Sequence, residues 1–255
     1  TLSRSEVFGL GITLFIAGVI MVVSWIRTPL SVIAAGGSVD MYFFEAISQG
    51  IANFGPAESI LMSGGSLRYH WFTYAWAGEL SATAGLDNFV AIARFLPSVT
   101  LIAVALLAIG WAASMKFGGS RSPAWVPALA GLLVIVGGYT GALYGVILNF
   151  DSPSQAMSTI WLLALAVVFT TYLLSQGTSL SRGNHVAFLT VIAVLTVATM
   201  GGKASTSIVA IAGIGFTAVI GLIIRSDWAK RAIMASLVSI AFGAFTYLLM
   251  LSGVS

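Results

Sequence analysis

The chain has 255 residues, of which 58% are hydrophobic and only 7% carry a charge, and its mean hydropathy is +1.02. A soluble domain carries about 25% charged residues, so this balance excludes a soluble globular fold and indicates a polytopic membrane protein. The net charge of +3 comes from basic residues placed singly at the ends of apolar runs, where they orient helices in a bilayer, which argues against a nucleic-acid partner.

The first apolar run, residues 7–26, is uncharged and lies between Arg4 and Arg27. It is long enough to cross a hydrocarbon core of about 30 Å. No small-residue cleavage pattern follows it, so it reads as a retained anchor and not as a signal peptide. Six further apolar runs follow, at 95–113, 124–148, 156–174, 186–200, 208–224 and 232–251, the fifth of the seven being short. The fold class expected is therefore an all-α integral membrane protein with about seven transmembrane helices, a single membrane domain over residues 1–255.

Between the first two spans lies the one long polar stretch, residues 27–88, which holds Asp40, Glu45, Glu58, Glu79 and Asp87, five of the eight acidic residues. Two juxtamembrane helices are expected in it. The first covers about 40–54, where Asp40, Phe43, Ile47, Ile51 and Phe54 share one side and Glu45, Ser48, Gln49 and Asn53 the other. Pro56 ends it, and Ser63-Gly64-Gly65-Ser66 is a turn. The second covers about 70–85. Glu79 at its centre would cost a few kcal/mol in a span, and charge decides the matter. If 70–85 does not cross, one face receives Arg4, Lys116, Arg121, Arg182, Arg225, Lys230 and Arg231, and the other only Arg27, Arg68, Arg94 and Lys203. The same topology gathers Asp40, Glu45, Glu58, Glu79, Asp87 and Asp151 on the outer face.

Several of these outer residues could carry chemistry. Asp40 stands at the head of an interfacial helix, where a carboxylate either caps the helix or meets the phosphate of a membrane lipid. Asp151 opens Asp-Ser-Pro-Ser-Gln, a helix-entry sequence, and with Asp40 it could hold a divalent cation such as Mg²⁺ or Mn²⁺. His70, between Tyr69 and Trp71, could donate to a phosphate or sugar oxygen or act as an acid or base; the alternative is that Tyr69, Trp71, Phe72, Tyr74 and Trp76 form an aromatic belt at headgroup level. Arg68 and Lys203 are cations able to pair with a lipid phosphate or to snorkel toward the interface. No cysteine is present, so thiolate metal sites do not arise.

The first 115 residues resemble the N-terminal part of polytopic GT-C glycosyltransferases. In that family an outer loop begins with acidic residues, continues through a His-Pro-Pro-like segment into a short apolar helix, and enters the next span through a glycine and an Arg-x-x-Pro-like step. Here Asp40 stands for the first feature, Tyr69-His70-Trp71 for the second, and Gly85 with Arg94-Phe95-Leu96-Pro97 for the third. The prolines after His70 are absent, and Glu45 follows Asp40 by five residues instead of adjoining it. The resemblance implies transfer of a sugar from a polyprenyl-phosphate donor to an acceptor outside a bacterial plasma membrane. It implies that Asp40 is the catalytic base or a metal-binding acid and Asp151 a second acid, so that the two would be metal-binding together; with it, His70 is read beside Asp40 as catalytic, and Arg68, Tyr69 and Lys203 as substrate-binding. It also implies further membrane subunits or a C-terminal region completing the enzyme. Two other readings stay open: a non-catalytic subunit keeping this fold within a larger complex, and a transporter of lipid-linked sugars.

Overall fold

The computed structural model describes residues 40–55, 58–59, 62–67, 69, 71–96, 153–175 and 180–250, with isolated helical residues between 7 and 22 and between 99 and 110. The expected span at 124–148 lies outside the described residues, and those expected at 7–26 and 95–113 are described only in part.

The loop after the first apolar run opens with α1 (Asp40–Phe54). Gly55 ends it, one residue before Pro56, by adopting a left-handed φ of 79° while its N–H closes on Ile51 O at 2.8 Å. The buried face of α1 is shifted from the one its apolar spacing suggests: Ile47 is buried and Phe43 and Ile51 pack against the loop core as expected, but Phe44 and Ser48 are buried as well, whereas Phe54 is 85% exposed. The reason is a close backbone approach: a Cβ on Gly78 would lie 2.6 Å from Ser48 O. Ser48, expected on the polar side, is thereby enclosed, with its Oγ 2.8 Å from Tyr74 O and 3.1 Å from Asn88 Oδ1.

A two-stranded antiparallel hairpin follows, β1 (Glu58–Ser59) and β2 (Met62–Ser66), with Glu58 opposite Ser66 and Ser59 opposite Met62. It takes the place of the turn expected at Ser63–Ser66. Strands this short, with two glycines and no apolar alternation, leave no period-2 signal to read. Helix α2 (Phe72–Ala84) comes next and ends on left-handed Gly85 at φ 66°. Asp87 then accepts from Val90 N at 3.1 Å and caps α3 (Asn88–Val90), which continues as a π-helical turn over Ala91–Phe95. Phe44, Ile47, Tyr74, Ala77 and Ile92 form the core of this loop unit, with the Phe44 and Tyr74 rings stacked at 5.1 Å.

Four helices make the second unit: α4 (Pro153–Leu174), α5 (Arg182–Gly202), α6 (Ala204–Ile223) and α7 (Ala229–Met250). Each is long and apolar enough to cross a membrane, with mean hydropathy from 1.8 to 2.2. Two of the expected spans, 186–200 and 208–224, prove too short and too late at their facing ends, because both helices run on through small and hydroxylated residues until only Lys203 separates them.

The bundle turns many large apolar side chains outward and encloses small ones on α7. Ala232, Ala235 and Ser239 of α7 are fully enclosed, while Phe216 is 68%, Ile223 70% and Phe245 57% exposed. Large apolar residues turned outward and small ones inward suit a bundle whose solvent is lipid. Small residues let the helices close: a Cβ on Gly243 would sit 2.5 Å from Ile211 Cδ1, and one on Gly221 would sit 2.5 Å from the Trp228 ring. Thr196 and Ser239 add a hydroxyl contact at 3.4 Å between α5 and α7.

Neighbouring ends are tied by polar contacts that fix helix direction. At one end Arg231, in the first turn of α7, donates through Nη1 to Tyr172 O at 3.2 Å and to Ser175 Oγ at 3.2 Å, so a guanidinium closes the C-terminus of α4. Its Cζ is 5.9 Å from the centre of the Tyr172 ring, and Tyr172 OH meets His185 Nδ1 of α5 at 3.1 Å. Arg182, Arg225, Lys230 and Arg231 all belong to this end, and Lys203 to the other. A cation at a helix C-terminus is favoured by the peptide dipoles, and hydrogen bonds from a charged donor contribute about 1.5–3 kcal/mol. Arg231→Met keeps the stem and deletes the donors; it should cost about 2 kcal/mol and lower the thermal midpoint in detergent. Arg231→Lys should recover only part of this, because a shorter side chain ending in an ammonium does not reproduce the reach of Nη1 or the planar guanidinium beside the Tyr172 ring. Lys230→Met, at an exposed position one residue away, should leave the midpoint unchanged.

Candidate functional site

The loop unit and the bundle meet where α5 ends in Gly201-Gly202. A Cβ on Gly201 would lie 2.5 Å from Cδ2 of Phe72, the first residue of α2, and one on Gly202 would run into the Trp161 ring of α4. Phe72 and Trp161 themselves pack edge to face, with centroids 6.5 Å apart. The two glycines thus seat one ring from the loop and one from the bundle, which brings α2 to the Lys203 end.

At that end the chain reverses through a single residue. Lys203 is extended, at φ −161° and ψ 119°; its N–H bonds Thr199 O at 2.9 Å and its carbonyl accepts from Thr206 N at 3.1 Å. Lys203, the N-cap residue of α6, makes no side-chain cap hydrogen bond. The first turn of α4 lies beside it, since Gln155 Nε2 donates to Thr206 Oγ1 at 3.1 Å, while Ser158 Oγ donates to Thr199 O at 3.1 Å. Two helix N-termini and a lysine therefore share one end of the bundle. Burial disfavours the charged ammonium and lowers the Lys203 pKa from its ordinary 10.5.

From Phe72 an apolar furrow of about 500 Å³ runs between α5 and α7, lined by Leu189, Ala193, Val197, Val238 and Phe242 and reaching Val186. From Val186 to Ala198 it follows α5 for about 18 Å. The furrow and the polar end thus meet at the Phe72 ring.

The residues singled out from the sequence fall into two groups. Lys203 and Tyr69 are described: Lys203 is half-buried at the helix junction, and Tyr69 packs into the loop core, 6.0 Å from the Phe43 ring and 5.9 Å from the Tyr74 ring. Asp40 is the first residue of α1, but its side chain is not among those described. Arg68, His70 and Asp151 lie outside the described residues. Among the described residues no three His, Asp or Glu side chains converge on a common point. Of the residues that shape the lysine end, Phe72 is read from the sequence only as one ring of an aromatic belt, and Trp161, Gln155 and Ser207 are not read as candidates. The signal for them was the run Gly-Gly-Lys-Ala-Ser-Thr-Ser at 201–207, which interrupts two apolar helices with small and polar residues only.

No protein-family model matches the chain, and neither a curated protein nor a solved structure is similar to it.

In the loop unit, Glu45 has its pKa raised above the ordinary 4.5, first by burial and then by the negative charge of Asp87. The folded state therefore holds that proton more tightly than the unfolded chain. Its contribution to stability is complete below about pH 4.5 and is lost as pH rises through the raised pKa. Glu45→Gln should flatten this fall and raise the thermal midpoint near pH 7 without changing it at pH 4. Midpoints taken across pH 4–8 check the sign, and a wild type whose stability climbs over that window would contradict it.

Proposed function

We propose that the chain is the membrane module of a GT-C-like glycosyltransferase, which moves a sugar from a polyprenyl-phosphate donor to an acceptor at the membrane face where the loop unit docks. The observation that carries this reading is the meeting of the furrow with the lysine end at Phe72. An amphiphile with a long apolar tail and a phosphate head needs a lipid-level groove leading to a cation, and these two features adjoin. In this reading the tail lies along α5 and the phosphate is held by Lys203, with Arg68 and Tyr69 contributing from the loop.

The chemistry assigned to the loop residues follows from the donor. The acceptor oxygen attacks the anomeric carbon, the bond from that carbon to the phosphate oxygen breaks, and polyprenyl phosphate leaves with the electron pair. Asp40 takes the acceptor hydroxyl proton, and His70 donates to a phosphate or sugar oxygen. A divalent cation, if Asp40 and Asp151 share one, would neutralise the leaving phosphate; no step here depends on it. The Lys203 end faces outward in this reading, because Arg182, Arg225, Lys230 and Arg231 gather at the opposite end and basic ends stay in the cytoplasm.

Asp40→Asn keeps the size and the capping oxygen but removes the base. The variant should fold and lose about 100-fold or more in turnover of a polyprenyl-phosphate sugar. Full turnover by the Asn variant would leave the non-catalytic subunit as the better reading. The furrow is tested separately by Ala198→Phe, whose ring fills its lining near Phe72. It should raise KM for a long-chain donor several-fold while leaving a short-chain donor unaffected, and equal effects on both donors would remove the tail from the furrow.

A further inference from the structure

Helix α6 ends in a turn that is made for glycine and carries arginine. Arg225 N donates to Leu222 O at 3.2 Å and Ser226 N to Gly221 O at 2.9 Å, the paired hydrogen bonds that close a helix on one left-handed residue. That residue is Arg225, at φ 52°, the one non-glycine with a positive φ among the described residues. Where α1 and α2 end in the same left-handed way, the chain uses Gly55 and Gly85. A Cβ in this region crowds the following carbonyl, so the arginine is held against a backbone penalty that glycine would not meet. Trp228 locks the turn by packing on Gly221.

What the penalty secures is the position of a charge. Arg225 directly follows Leu222, Ile223 and Ile224, which are exposed and belong to the lipid-facing surface of α6. Its guanidinium therefore emerges where an apolar span gives way to headgroups. Lys230, in the first turn of α7, and Arg182, the first residue of α5, are exposed at the same end. Helix α5 packs against both α6 and α7, and packed helices lie about 8–10 Å apart, so the three cations are neighbours. Arg231 is engaged by the α4 carbonyls, but the side chains of Arg182, Arg225 and Lys230 make no hydrogen bond or ion pair among the described residues. Asp227, the one acidic residue beyond Asp151, sits two residues before α7, where its charge complements that helix start. One anion faces three exposed cations.

We infer that Arg182, Arg225 and Lys230 form a surface that binds the headgroups of anionic phospholipids in the adjoining leaflet. The lipid tails lie against Leu222, Ile223 and Ile224, and the phosphate meets cations at the level where those residues end, on an open surface that needs no cavity. A guanidinium suits this partner because its planar fork matches phosphate oxygens. The surface lies at the opposite end of the bundle from Lys203 and does not depend on sugar transfer.

The test is titration of the full chain in a neutral detergent with dioctanoyl phosphatidylglycerol, with dioctanoyl phosphatidylcholine as the zwitterionic control. Wild type should bind the anionic lipid more tightly, and the preference should shrink at high salt. Arg225→Gly separates the charge from the turn. Without lipid its thermal midpoint should rise by about 2–4 °C, while its affinity for phosphatidylglycerol falls about fivefold. Lys230→Met lies outside the turn and should weaken the anionic lipid by a similar factor with no change in midpoint. Equal affinity of wild type for the two lipids overturns the surface, as does undiminished phosphatidylglycerol binding by Arg225→Gly. Undiminished binding by Lys230→Met overturns it even if the glycine variant does not fold. Glycerol phosphate, which has the phosphate without the tails, should bind far more weakly, and binding as tight as that of the lipid would overturn the lipid as partner.

Discussion

The junction between loop and bundle depends on two residues that have no side chain. Gly201 and Gly202 end α5, and each makes room for an aromatic ring, Phe72 on one side and Trp161 on the other. In lipid there is little hydrophobic gain in bringing two apolar surfaces together, so close packing of shapes has to hold the contact. A single methyl at either glycine would collide with a ring, and the loop unit would lose its seat on α5. Everything that places α2 near Lys203 follows from this fit.

The two ends of the bundle handle charge in opposite ways. At the Arg231 end the guanidinium meets the carbonyls of α4, and Tyr172 and His185 complete each other. At the Lys203 end the dipoles and the cation have the same sign, and burial weakens the ammonium. The first arrangement is complete as it stands. The second adjoins the apolar furrow at Phe72, which is why the proposed function is placed there and not among the richer hydrogen bonds of the other end.

The bundle helices were largely legible because an apolar run of about 20 residues is an unambiguous signal, and α1 occupies the residues its periodicity indicates. What escaped was decided by neighbours. Ser48 read as polar surface because nothing local announces that Gly78 of another helix will press against its carbonyl. The hairpin at 58–66 is held by backbone pairing with almost no side-chain pattern. Lys203 stood out as a lone cation between apolar runs, whereas Ser207 did not, since a serine in a helix is unremarked until its hydroxyl is found without its usual carbonyl. Arg68, His70 and Asp151 lie outside the described residues, and their roles come from the sequence.

Thr159, Thr171, Thr196, Thr199, Thr217 and Thr246 each donate to the carbonyl four residues back in their own helices, and this bears on how the protein is made. Each of these hydroxyls finds an acceptor in the helix that carries it, so every one of α4 to α7 can leave the insertion machinery with those groups already paired and no partner helix present. Such helices enter the bilayer as independent units and find one another later, by fit. Ser158 of α4 and Ser207 of α6 lack that provision, the first finding its acceptor only on α5 and the second finding none among the described residues, so each of these two helices enters the bilayer with a serine hydroxyl that it does not pair itself.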